Sequence, residues 1–176
     1  MKKMMTLVLA LCLALTVLPV LAEEAATVPA FTLTDGFSVG MTQDELVAAL
    51  GATPYEIDSE TTPGGTYTKF DVDRQNLNGT IADVDYLLSN GVVVAIKVDL
   101  EHNPGMAEEL RTKLTETYGA AANVDLVKLG TSIYAVDDDG VLENKAEAWI
   151  AGDVMVIMET DKDGDVDLTI VQMPAQ

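Results

Sequence analysis

Between residues 81 and 100 the chain alternates between apolar and polar positions. Ala82, Val84, Tyr86 and Leu88 alternate with Ile81, Asp83, Asp85 and Leu87, and Val92, Val94, Ile96, Val98 and Leu100 alternate with Val93, Ala95, Lys97 and Asp99. A period of two is the mark of extended backbone with one buried face, so these letters predict two strands. Matching their apolar faces calls for a loop of odd length. Ser89-Asn90-Gly91 reads as a three-residue turn with Gly91 in the left-handed position. That register sets Leu88 opposite Val92, and Asp83 opposite Lys97 on the outer face. Further strands are predicted over 66–73, 131–136, 146–151, 153–160 and 165–172.

Two segments follow the helical period instead. Thr42-Gln43-Asp44-Glu45 is a capping box, in which the Thr42 side chain accepts from the Glu45 amide and Glu45 reaches back. Leu46, Val47 and Leu50 then share a face, Gly51 suits a C-terminal cap, and Pro54 blocks continuation. In the second segment Asn103 is the expected cap and Pro104 the first helical residue. Ala107, Leu110, Leu114 and Tyr118 form its buried stripe, and Gly119 ends it. Leu50-Gly51-Ala52 and Tyr118-Gly119-Ala120 end the two helices 68 positions apart. The predicted fold class is therefore α+β, an antiparallel sheet with two helices on one face, built from a tandem helix–strand–strand–strand repeat.

The N-terminus changes how much of the chain belongs to that fold. Met1-Lys2-Lys3 is basic, Leu7 to Leu21 is almost wholly apolar, and Val20-Leu21-Ala22 offers a small residue for cleavage. This is the pattern of a secretory signal peptide over residues 1–22, since the apolar run of about 15–16 residues falls short of a spanning helix. Cys12, the single cysteine, lies within it after Leu11, which is not the small residue a lipidation signal needs. The exported chain is thus expected to carry neither lipid nor disulfide, with no membrane anchor after cleavage. Residues 23–30 read as a flexible lead, 31–102 as a first α/β half, and 103–176 as a second half sharing one core. The expected location is secreted or cell envelope.

The formal charge of −19 becomes −21 when Lys2 and Lys3 leave with the signal, all 29 acidic residues remaining. Such a field repels nucleic acid and anionic membrane surfaces and favours a basic protein surface or a cation. Solubility alone also accounts for it. The expected partner is another protein.

Three stretches invite chemistry. Gly36-Phe37-Ser38-Val39-Gly40 matches the G-x-S-x-G elbow of serine hydrolases. However, the helix cap comes four residues later, at Thr42, and the hydrolase scaffold needs a parallel sheet where this chain shows hairpins. The one available histidine, His102, leads into the second helix and reads as a solvated residue near a helix start. Asp161-Lys162-Asp163-Gly164-Asp165-Val166-Asp167 has the oxygen-rich look of a calcium loop. An EF-hand register anchored on Gly164 would place Glu159 first and Ile170 last, without the bidentate glutamate, so a three-residue turn accounts for the letters more simply. Asn78-Gly79-Thr80 matches a glycosylation sequon but, behind a bacterial-looking signal, reads as a turn. Trp149, Tyr134 and Tyr55 read as core or edge aromatics. No zinc cluster, phosphate loop or dinucleotide fingerprint is present. No catalytic, cofactor-binding or metal residue is assigned, and no cofactor.

Gly40-Met41-Thr42, Glu45-Leu46, Leu50-Gly51 and Pro54 together form a pattern that resembles the SmpA/OmlA (BamE-like) small outer-membrane lipoproteins. The pattern is similar to one that recurs in tandem in the β-lactamase inhibitor proteins. The resemblance rests on about fifteen residues, most of which encode a helix cap and stop. It implies helices packed on an antiparallel sheet and action by binding other proteins. The lipoproteins' acylated cysteine and the inhibitors' disulfides have no counterpart here, and no partner carries over. The reading that follows is an exported, non-enzymatic protein-binding or structural module. Its alternatives are a calcium-binding extracellular module using Asp161–Asp167 and a small serine hydrolase using Ser38.

Overall fold

The computed structural model describes residues 36–62, 65–100, 105–123, 145–160 and 164–173. Helix α1, Gln43–Leu50, starts where its capping box dictates. The Glu45 amide donates to Thr42 Oγ1 at 3.3 Å, and the Thr42 amide donates to Glu45 Oε2 at 2.8 Å. Gly51 closes the helix with its N–H on the Val47 carbonyl. At eight residues α1 is too short to persist alone, and packing of the buried Leu46 and Leu50 holds it.

Strands β1 (Glu56–Thr62), β2 (Gly65–Leu77), β3 (Thr80–Ser89) and β4 (Val92–Leu100) follow as a meander. Helix α2 (Met106–Tyr118) intervenes before β5 (Ala122–Asn123), β6 (Lys145–Ala151), β7 (Val154–Thr160) and β8 (Val166–Gln172). Among the described residues four strands follow α1, where three were expected, and four follow α2, where an extra strand was already expected. The extra strand in the first half is β1, whose sequence EIDSETT has a single aliphatic residue and no apolar alternation. The predicted strand at 131–136 lies outside the described residues.

The hairpin between β3 and β4 corrects the predicted register. Its loop has two residues, with Asn90 at φ 51° and Gly91 at φ 75°, and Ser89 pairs with Val92. Two consecutive positive φ angles define the turn whose twist matches the strands, and Asn-Gly is the pair that adopts it at least cost. A bulge then shifts the ladder beside Leu87/Leu88, so Leu88 faces Val93, Asp85 faces Lys97 and Asp83 faces Asp99. The predicted Leu88–Val92 and Asp83–Lys97 pairs do not form. The bulge switches which positions of β4 are buried: Val93 precedes it, and Ile96, Val98 and Leu100 follow it, all on one core. A second bulge in β2, at Asp73 and Arg74, does the same, burying Gln75 and Leu77 after Phe70 and Val72.

All the strands form one antiparallel sheet in the order β1-β2-β3-β4-β8-β7-β6-β5. The seam joining the two halves is β4–β8, running from Ala95↔Val171 to Leu100↔Val166. This sheet dominates the molecule and overturns the expectation of a two-helix α+β layer: β2 alone is as long as the longer helix, 13 residues each. The helices add four buried side chains, Leu46, Leu50, Leu110 and Leu114, to a core otherwise built from strand residues. Nor is the sheet apolar on one side only. Leu87, Ala95, Ala148, Met155, Ile157 and Val171 form a separate buried cluster on the opposite face.

Helix α2 also departs from its predicted start. Gly105, in a left-handed conformation at φ 92° and without a side-chain cap, precedes Met106, while Asn103 and Pro104 lie outside the described residues. Arg111 fixes α2 to the sheet, its Nε 2.6 Å from Glu147 Oε2 on β6, and Trp149 Nε1 donates to Thr115 Oγ1 at 3.4 Å.

Candidate functional site

The Gly36–Gly40 stretch is a docking turn. Phe37, Val39 and Met41 pack against the main core, with the Phe37 ring 5.3 Å from that of Tyr86. Gly40, at φ 90°, donates its N–H to the Val93 carbonyl at 2.7 Å, and the Val93 N–H returns to the Met41 carbonyl at 2.8 Å. The chain thus crosses the start of β4 before α1 begins. Ser38 lies between these contacts with its side chain exposed, its amide on Met41 Sδ at 3.2 Å. His102, its only histidine partner in a triad, is outside the described residues.

Asp161, Lys162 and Asp163 are likewise outside them, so the calcium-like loop is seen only from Gly164 onward. Val166 begins β8, and Asp167 stands opposite Glu159 on β7. Among the described residues no group of three or more His, Cys, Asp or Glu side chains is placed to hold a metal ion. Asn78-Gly79, within the sequon, is a second two-residue Asn-Gly turn: both residues have positive φ, and the Gly79 amide donates to Asn76 Oδ1 at 2.7 Å.

The register brings together an acidic row that the sequence did not reveal. Asp83 on β3, Asp99 on β4, Asp167 on β8 and Glu159 on β7 are successive cross-strand neighbours. Partial desolvation of an otherwise exposed side chain, then the charges of Asp83 and Asp165, push the Asp99 carboxyl above the usual aspartate range. Asp83 accepts the Arg74 amide at 2.7 Å, which ties the row to the β2 bulge. One row over, Asp85 is raised by burial against the opposing pull of Lys69. Lys69 bonds Asp71 at 2.7 Å, the main cause of its own raised pKa.

A different row crosses the core face. Ile57, Phe70, Tyr86, Ile96, Ile170, Val156 and Trp149 are successive partners across β1, β2, β3, β4, β8, β7 and β6. Six of the seven are buried, Ile170 being the most exposed of them at 6 %. Ile57, at the β1 end, is 60 % exposed. Its neighbours Glu56, Asp58 and Ser59 are exposed too. Among the described strands the sheet therefore ends, on the β1 side, with an exposed aliphatic side chain at the end of an otherwise buried row. No sequence signal pointed to Ile57, because β1 was not legible as a strand.

No protein-family model matches the chain, and no curated protein matches it. Among solved structures the chain is similar to a cysteine-rich secretory protein (SAV1118) from Staphylococcus aureus subsp. aureus Mu50, with 12% sequence identity and a TM-score of 0.41. The match covers 76% of this chain and 44% of that protein, so the chain spans less than half the length of the structure it matches.

Proposed function

We propose that this chain is an exported, non-catalytic module that binds another protein at the β1 edge of its sheet. The observation that carries the reading is Ile57, the exposed end of a row that is otherwise buried across six strands. An outermost strand offers backbone donors and acceptors to an extended partner, and alternate side chains give the pairing its register. The leader-like N-terminus supports export. The families that the α1 pattern resembles act by binding proteins, which is consistent with this role. Ser38 sits in a turn that anchors the chain to β4, a structural use that needs no catalysis.

Selection of a displayed random-peptide library on the purified chain tests the reading. Enriched clones are expected to lose binding to an Ile57→Lys variant and keep it on Val47→Lys, a control on α1 that, unlike Leu46 and Leu50 with which it was expected to share a face, is exposed. Binders indifferent to Ile57→Lys would overturn it.

A further inference from the structure

The β1 edge carries information about what it would accept. Ile57, Ser59 and Thr61 lie on the core side of the strand, and Glu56, Asp58 and Glu60 on the other, as their pairings with Phe70, Thr68, Thr66, Asp71, Lys69 and Tyr67 show. The charge on Glu60 is already met by Lys97 at 2.5 Å. Glu56 stands opposite another acid, Asp71, which is itself engaged by Lys69. Asp58 uses one oxygen on the neighbouring Ser59 amide at 2.7 Å. Two exposed carboxylates, at Glu56 and Asp58, thus border the edge on one side and an exposed isoleucine on the other.

Resting on the edge-binding reading above, we infer that the β1 edge receives an extended segment of another protein whose side chains alternate between aliphatic and basic. Aliphatic residues would continue the Ile57 row, and lysine or arginine would lie beside Glu56 and Asp58. Directly opposed strand neighbours of opposite charge stabilise a ladder, and like charges destabilise it. The same rule disfavours a second copy of this chain as the occupant. Two-fold antiparallel pairing of β1 with itself keeps the faces matched, and so sets the acids at 56, 58 and 60 against one another.

Fluorescence anisotropy with synthetic peptides separates the possibilities. A peptide alternating valine and lysine is expected to bind the full chain about tenfold or more tighter than one alternating valine and glutamate. It should also exceed one alternating valine and serine. N-methylation of every second residue, or Ile57→Lys in the protein, should each weaken binding by about tenfold or more, since backbone pairing and the aliphatic end of the row both contribute. If the valine–serine peptide binds as well as the valine–lysine one, and both depend on Ile57, the basic partner is overturned while the edge reading stands. If a block arrangement of the same valines and lysines binds equally, and N-methylation has no effect, charge attraction alone is at work and both fall.

Discussion

Lys97 on β4 reaches Glu60 on β1, Nζ to Oε1 at 2.5 Å, with β2 and β3 lying between the two strands. Three strand spacings amount to about 14 Å in a flat sheet, more than two such side chains span, so the first half of the sheet must coil toward this face. The ion pair is partly buried, with the Lys97 and Glu60 side chains 28% and 19% exposed. A double-mutant cycle with Lys97→Ala and Glu60→Ala, read by urea unfolding, is expected to give a coupling of about 1 kcal/mol. A coupling indistinguishable from zero would mean that the coil is set by the backbone alone.

The acidic row makes a pH prediction. Asp99 and Asp85 have folded-state pKa values raised above the ordinary 3.8, so the native protein holds these protons more tightly than the unfolded chain. Each group therefore subtracts stability at neutral pH. That loss is recovered as pH falls through the raised pKa and is fully gone below the ordinary value. Glu45, lowered by its bonds to Thr42, works the other way, and the capping box weakens as it protonates. Asp99→Asn is expected to raise stability at pH 7 by about 0.5 kcal/mol, the scale of a like-charge cross-strand pair in partial contact with water. On acidification from pH 7 toward the ordinary carboxylate range, the variant should also gain less in melting temperature than the wild type, since it lacks the Asp99 proton uptake.

The β3–β4 turn tests the corrected register. Gly91→Ala places a side chain at φ 75°, and should cost about 1–2 kcal/mol. In the three-residue loop read from the sequence, Ser89 would be a loop residue. In the observed hairpin it closes the ladder against Val92. Slow hydrogen exchange at the last β3 and first β4 amides would mark the two-residue form.

Inside the core, Tyr86 Oη donates to Gln75 Oε1 at 2.9 Å, both residues being buried. Burial pushes the phenol pKa up. Gln75→Leu leaves the hydroxyl without that partner and is expected to destabilise by about 1–3 kcal/mol, whereas pairing it with Tyr86→Phe should recover much of the loss. Equilibrium unfolding of the four proteins checks this.

The proposed lack of catalysis is also open to direct test. A fluorophosphonate probe is expected to leave the chain unlabelled, and Ser38→Ala to leave its melting temperature within about 1 °C, as for other exposed positions. Labelling that disappears in Ser38→Ala would make the chain a hydrolase.

What was legible in the sequence was whatever local chemistry decides. Thr42, Glu45 and Gly51 specify α1 by hydrogen bonds within one turn of their own positions, strands β3, β4 and β8 advertise themselves through alternation, and β7 through an unbroken apolar run. β1 did not, because an edge strand buries little and its letters need not alternate. The two bulges were invisible for another reason: each keeps the apolar side chains on one face by shifting their spacing, so a strict period of two misplaces Val93 and Gln75. The acidic row and the Ile57 row are both properties of register, and both waited on those shifts.

The β4–β8 seam has a consequence for how the molecule is assembled. β8 is the last described strand, and it alone joins the strands of the first half to β7, β6 and β5. A chain threaded outward from its N-terminus can complete its first four-stranded meander early, but the two halves become one only when the far end arrives. Contacts so distant along the chain slow folding. Until then the Ala95–Leu100 stretch of β4 and the facing side of β7 lack their β8 partner. Among the described strands the loss of β8 would thus divide a single sheet into a four-stranded and a three-stranded part.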